Sequence, residues 1–379
     1  MNRSRTLDIL RTVAVLLVLG RHMAPAPEDT AAWLRRAVDV WHTGGWVGVD
    51  LFFVLSGFLV SGLLFKEHQR SGTVSVGRFL IRRGLKIYPP FYALLGLTVL
   101  SSVFDPSVLT PEGLVRELLF VQNYGPGLWN HTWSLAVEEH FYLLLPAVLA
   151  LLLKWNRGRS PDPFSALPGL FLAIALLCLG LRLAIHIRAP YSHDTHFFPT
   201  HLRIDSLLFG VLLSYYQHYR PERFAALTRR YRAPLLVLGG ACFIPAFVYP
   251  LGSAWQLTTF GVCLFYLGAG MVLCALHGWE PRPSPLARLL AFLGARSYSI
   301  YLCHMPMALW GLSALRALLP FWSWYVAAGA YVAGSFVLGV GVSRLLETPV
   351  LRLRDKYFTS KTDISPSERL GPRTDISPS

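Results

Sequence analysis

The chain has 379 residues, of which 53% are hydrophobic and only 15% charged, with a mean hydropathy of +0.44. Soluble globular chains carry about 25% charged residues, and the apolar residues here run in long blocks such as Leu10–Gly20, Val47–Phe65 and Phe141–Leu153, which excludes a soluble protein. A net charge of +14 would suggest nucleic-acid binding in a soluble chain, but in a membrane chain it is the ordinary gathering of Lys and Arg in cytoplasmic loops.

The first apolar run follows Arg3 and Arg5, as a secretion signal would. Arg11 interrupts it, and Pro27 spoils Ala24-Pro25-Ala26 as a cleavage site, so the segment reads as a retained first helix. A bilayer core of roughly 30 Å needs about 20 apolar helical residues. Ten spans are predicted: 7–24, 46–65, 85–104, 133–153, 167–187, 199–219, 233–251, 255–276, 289–310 and 322–346.

Basic residues alternate between the loops. Lys66, Arg70, Arg78, Arg82, Arg83 and Lys86 follow the second span, Lys154, Arg157 and Arg159 the fourth, and Arg220, Arg223, Arg229, Arg230 and Arg232 the sixth. The intervening loops are poor in Lys and Arg, except that Arg35 and Arg36 follow the first span. This pattern predicts an all-α polytopic membrane bundle with both termini in the cytoplasm. Residues 1–354 form one transmembrane domain. Residues 355–379 are polar, repeat Thr-Asp-Ile-Ser-Pro-Ser, and are expected to be a disordered tail.

Ionisable residues recur inside the spans, where they are costly. The first span carries Asp8 and Arg11 at i, i+3, a spacing that pairs them, and His22 eleven residues after Arg11. Eleven residues make about three turns, so Arg11 and His22 share a face roughly 16 Å apart. The second span holds Asp50 and then Ser56-Gly57, small residues that permit close helix approach. The fourth opens with Glu138, Glu139 and His140, and the sixth with His201, Arg203 and Asp205. The ninth holds Arg296, Tyr298, Tyr301 and His304, and the tenth ends with Arg344 and Glu347. Such recurrence points to a shared polar site.

Cys178, Cys242, Cys263, Cys274 and Cys303 all lie in apolar blocks with no CxxC pair, and read as small packing residues. There is no GxSxG elbow, HExxH or Walker-type loop. What remains is imidazole, carboxylate and guanidinium chemistry in a membrane bundle. A transporter or flippase for a glycan or lipid-linked substrate is the alternative, since intramembrane charges also mark transport pathways. The chain shows no clear inverted repeat to support it.

Seven motifs in order resemble those of the membrane acyltransferase-3 family, across about residues 5–350. They are Leu7-Asp8-Ile9-Leu10-Arg11 with His22; Gly48-Val49-Asp50-Leu51-Phe52-Phe53-Val54-Leu55-Ser56-Gly57-Phe58; Arg82-Arg83-Gly84-Leu85-Lys86-Ile87-Tyr88-Pro89; and Trp133-Ser134-Leu135-Ala136-Val137-Glu138-Glu139-His140-Phe141-Tyr142. Arg203-Ile204-Asp205, the stretch Ser297–Pro306 and Glu347-Thr348-Pro349 complete the series. Three positions depart from the family pattern: Ile9 stands where Gly is common, His140 where Gln is common, and Arg83-x-x-Lys86 replaces RxxR. Lysine keeps the charge but loses the bidentate fork.

The resemblance implies an O-acyltransferase that moves an acyl group, most often acetyl, from acetyl-CoA or another acyl-CoA to a hydroxyl. The implied acceptor is a carbohydrate, a lipid-linked glycan or a secondary metabolite. The location implied is the bacterial inner membrane, with acyl-CoA, the acceptor and lipid as partners and no metal. His22 is then the general base or a transient acyl carrier, with Arg11 and Asp8 ordering the site. Glu138 either orients His22 or pairs with an arginine. Arg82, Arg83 and Lys86 would bind the phosphates of coenzyme A. Asp50, Ser56, His304 and Glu347 are further candidates. A cytosolic donor and a His22 near the outer face require a tunnel through the bundle. Trp33, Trp41, Trp46, Tyr124 and Trp129 are placed in outer loops, to stack on sugar rings or to form an interfacial belt.

Overall fold

The computed structural model describes residues 4–156, 160, 162–282, 284–319 and 321–358. They form helices and turns, with no strand among the described residues. Helix α1 (Arg5–Arg21) is followed by the amphipathic α2 (Ala32–Gly44), and a short 3-10 turn leads into α3 (Gly48–Ser71). Next come α4 (Val76–Ser101), the short α5 (Pro111–Leu118), α6 (Trp133–Asn156), α7 (Leu167–Arg188) and α8 (His193–His196). Then follow α9 (Ile204–Tyr219), α10 (Pro221–Arg230), α11 (Arg232–Ala241), α12 (Ile244–Val248) and α13 (Val262–Leu276). The chain closes with α14 (Pro285–Gly294), α15 (Ser297–Pro306), α16 (Leu312–Leu318), α17 (Trp324–Val342) and α18 (Thr348–Tyr357). Wide π-helical turns at Met307–Gly311 and Ser343–Glu347 join α15 to α16 and α17 to α18 without breaking the rod, and a third at Leu257–Gly261 leads into α13.

Five helical segments are long and apolar enough to cross a membrane: Ala32–Ser71, Asn130–Asn156, Leu167–Arg188, Leu257–Leu276 and Trp324–Tyr357. A sixth is the pair Pro221–Arg230 and Arg232–Val248, bent by 74°, if taken as one span. The protein is therefore an all-helical integral membrane protein, and length and composition alone do not give ten spans. Helix α1 is 17 residues long and carries Arg5, Asp8 and Arg11, while α9 has 16 residues. The predicted span 289–310 is split at Ala295-Arg296 into α14 and α15, and 233–251 into α11 and α12. Helix α4 begins at Val76, so Arg78, Arg82 and Arg83, expected in the loop before the span 85–104, stand on one helix with Lys86; arginine and lysine are good helix formers. The expected tail is helical as far as Tyr357, while 359–379, with both hexapeptide repeats, lies outside the described residues.

Helix α3 runs through the centre of the bundle against α9, α1 and α13. It meets α9 at two glycines. A Cβ on Gly57 would fall 1.9 Å from the Leu207 carbonyl oxygen, and one on Gly210 2.2 Å from that of Val54. Close backbone approach of this kind is the main source of helix adhesion where lipid supplies no hydrophobic drive. Helix α1 packs on α14 in the same way: a Cβ on Gly294 would overlap the Asp8 carbonyl oxygen, and Thr12 Oγ1 donates to the Leu290 carbonyl at 2.5 Å.

Two ion pairs are sealed beside the α3–α9 contact. Arg203 Nη2 lies 2.6 Å from Asp50 Oδ1, and Arg182 Nη2 2.5 Å from Asp205 Oδ1. All four residues are buried. The Arg203 guanidinium also lies 4.4 Å from the centre of the Phe197 ring. These charges tie α3, α7 and α9 to the turn before α9.

Candidate active site

Two cavities sit end to end along α1. The first holds about 850 Å³ of space not filled by protein atoms, and the second about 960 Å³. Val49 of α3 and Tyr301 of α15 line both, so these two side chains form the partition between them.

The first cavity gathers Arg11 from α1, Ser56 from α3, Arg83 and Lys86 from α4, Glu138 and Tyr142 from α6, and Ser297 and Tyr298 from α15. Asp8 is buried and pairs with Arg11 at 3.2 Å, the i, i+3 contact expected from the sequence. The Ser56 and Tyr142 hydroxyls are 2.5 Å apart, and the Glu138 carboxylate is within reach of both while facing Arg83 and Lys86. The Arg83 guanidinium lies 5.4 Å from the centre of the Tyr142 ring. Tyr298 donates to the Ile87 carbonyl at 2.7 Å, fixing α15 to α4 beside Pro89 and Pro90. The cavity thus brings cations and one carboxylate together against an aromatic wall.

The second cavity is lined by Arg21, His22, His42, Asn130, His131 and His193, with Trp46, Trp133, Phe197 and Phe198 as aromatic walls. His22 caps the C-terminal end of α1. Its ring centre lies 5.0 Å from that of His304, which in turn lies 4.8 Å from that of His131. His304 Nδ1 donates to the Tyr301 carbonyl, and His131 Nε2 donates to the Leu302 carbonyl at 3.2 Å. Those bonds fix both rings and leave His304 Nε2 and His131 Nδ1 buried with no protein partner. The Tyr301 hydroxyl donates to the His131 carbonyl at 2.7 Å and lies 2.6 Å from Ser134 Oγ, so the partition and the imidazole cluster are one assembly.

The sequence candidates divide between these places. Arg11, Ser56, Glu138, Arg83 and Lys86 meet in the first cavity, and His22 with His304 at the second. Glu138 and His22 are therefore not brought together. Arg82 turns away from the cavity: Nη1 donates to the Phe358 carbonyl at 2.5 Å, and Nη2 is 3.3 Å from Asp355 on α18. Asp50 lies in its ion pair with Arg203, outside both linings. Glu347 accepts from Ser299 at 2.8 Å and likewise lines neither cavity. Of the five outer aromatic residues, Trp46 alone lines the second cavity. Trp129 is buried with its Nε1 on Thr98, Trp41 donates to the Leu16 carbonyl, Tyr124 stacks on His201, and Trp33 is exposed. His131 and Arg21 were missed. Arg21 adjoins His22 inside the predicted span 7–24, where its charge was itself a signal, whereas His131 stands two residues before Trp133, where a loop residue would be unremarkable.

A cation-lined cavity thus abuts an imidazole-lined one within a helical membrane bundle. The chain belongs to the acyltransferase-3 family: the family's acyltransferase domain matches residues 5–340. It is similar to the peptidoglycan O-acetyltransferase OatA of Listeria monocytogenes serovar 1/2a, 27% identical over 375 residues, covering 91% of this chain and 55% of the relative. It is also similar to a putative O-acetyltransferase of Staphylococcus aureus strain COL, 27% identical over 331 residues, covering 79% of this chain and 50% of the relative. The O-acetyltransferase OatA of Staphylococcus aureus strain NCTC 8325 is 26% identical over 324 residues, with the same coverage. The chain thus spans about half the length of these curated relatives. No solved structure matches it.

Proposed function

We propose that the protein transfers an acyl group, acetyl in the first instance, from a thioester donor of the acyl-CoA type to a carbohydrate hydroxyl. The donor occupies the first cavity and the acceptor the second. The observation that supports this most is the abutment of the two cavities at Val49 and Tyr301, with His22 on one side and Arg11, Arg83 and Lys86 on the other. The names of the relatives support an acetyl group and a glycan acceptor. In this reading the chain crosses a bacterial inner membrane ten times, with both termini cytoplasmic and the first cavity open to the cytosol.

Arg11, Arg83 and Lys86 neutralise the donor's phosphates, and Asp8 holds Arg11 in place. Glu138 serves as the carboxylate partner of Arg83, not as the orienter of His22. His22 acts as general base: it takes the hydroxyl proton as the oxygen attacks the acyl carbonyl. The new ester bond forms, the carbon–sulfur bond breaks, and the thiolate leaves with the proton that His22 returns. The bare nitrogens of His304 and His131 stand beside the imidazole as it becomes charged. Transfer through an acyl-histidine would instead leave label on the protein when acceptor is withheld.

The test is purified protein given labelled acetyl-CoA and a mixture of glycan acceptors. Label should move to the glycan, and His22→Ala should lower transfer by about 10²–10⁴-fold, the usual worth of a general base, without loss of folded protein. Normal turnover in that variant would remove His22 from the mechanism. Glycan movement without donor consumption would replace the enzyme by a transporter.

A further inference from the structure

The second cavity differs from the first in charge balance. Its lining carries Arg21 and the imidazoles of His22, His42, His131 and His193, but no Asp or Glu among the described residues. Arg21 is half-buried, and its Nη1 donates to the His42 carbonyl at 3.4 Å. Among the described residues it forms no ion pair. The carboxylates of Asp39 and Asp194 act on His42 and His193 from outside: both residues are exposed and neither lines the cavity. The two fully buried arginines elsewhere in the bundle are matched, Arg203 by Asp50 and Arg182 by Asp205.

A half-buried guanidinium facing an aromatic-walled cavity with no counter-ion is costly. It is also the side chain whose planar fork fits a carboxylate or phosphate. Trp46, Trp133 and Phe198, the last two stacked on each other, give the cavity an apolar wall against which a sugar ring can rest. We propose that the second cavity selects acceptors bearing an anionic group, carboxylate or phosphate, near the hydroxyl that is acylated, with Arg21 as the residue that recognises it. This rests on the assignment of the second cavity to the acceptor and adds the acceptor's chemical class to it.

The test is direct binding to the full chain in detergent. Three probes are used: a uronic-acid oligosaccharide, the same oligosaccharide with its carboxyl groups reduced to alcohols, and a sugar phosphate of matched size. The wild type should bind a charged probe about tenfold to a hundredfold more tightly than the reduced one, the scale of a charge-assisted hydrogen bond. Arg21→Gln should bring that ratio close to one, and Arg21→Lys should retain part of it. The carboxylate and phosphate arms tell which anion is read. Equal wild-type affinity for charged and reduced probes, no binding of either charged probe, or a ratio unchanged in Arg21→Gln overturns the proposal. If Arg21→Gln does not fold, the wild-type ratio and Arg21→Lys still decide. Binding is read without turnover, so the two assignments separate. Arg21-dependent anion binding without acyl transfer leaves this site standing and removes the enzyme, whereas equal transfer to charged and reduced acceptors does the reverse.

Discussion

Asp50 illustrates how one residue type serves two ends. A carboxylate inside a span is expensive, and the sequence marks it as a site candidate for that reason. Its cost is instead offset by Arg203, 2.6 Å away and equally buried. A sequence shows the cost of a buried charge but not the partner, which here lies in the turn before α9, 153 residues further along. The Asp8–Arg11 pair was legible because both members lie on one turn of one helix. The His22–His304–His131 cluster was not, since its three imidazoles come from separate elements. Glu117 on α5, outside the spans, gives a pH test. Its carboxylate accepts from Thr132 Oγ1 at 2.8 Å and from the Trp129 backbone N–H at 3.1 Å, yet burial pushes it up to about 7. The folded protein therefore holds a proton that the unfolded chain, with a pKa near 4.5, has released. The stability this contributes is fully present below about pH 4.5 and is lost as pH rises towards 7. Thermal midpoints in detergent should fall across that window, and Glu117→Gln should flatten the fall. An identical slope in the variant would assign the dependence to another group.

At the scale of elements, helix geometry decides what a motif does. Arg82 and Arg83 are neighbours in sequence, but successive residues on a helix point about 100° apart. Arg83 enters the first cavity while Arg82 reaches α18. A phosphate-binding role assigned to the whole basic run could not separate them, because the run read as a loop has no faces. The break at Ala295-Arg296 was hidden for a related reason: hydropathy summed over a span is blind to a two-residue interruption. What did carry through was Gly57, whose small size was read as permitting close approach and which lies against the Leu207 backbone. Gly57→Leu should force α3 and α9 apart, lowering the thermal midpoint and the yield of monodisperse protein. The equally bulky Gly180→Leu, at a position where a Cβ meets nothing within 4 Å, should leave both near wild type. Equal losses in the two variants would mean that the crossing does not depend on that glycine.

For the whole molecule, a path long enough to bring a donor from one face to an acceptor on the other is also a path for water and protons. Its two chambers are lined from Arg11 to His22 of the α1 segment, and Val49 and Tyr301 line both. A membrane that stores energy as a proton gradient does not tolerate an open conduit. The Tyr301 hydroxyl is held by its hydrogen bond to the His131 carbonyl and its contact with Ser134. In vesicles holding a pH-sensitive dye, the wild-type protein should be proton-tight and Tyr301→Ala should dissipate an imposed gradient; a tight variant would place the seal elsewhere. In the reading proposed above, the ring beside which donor and acceptor meet then also serves as electrical insulation for the membrane around it.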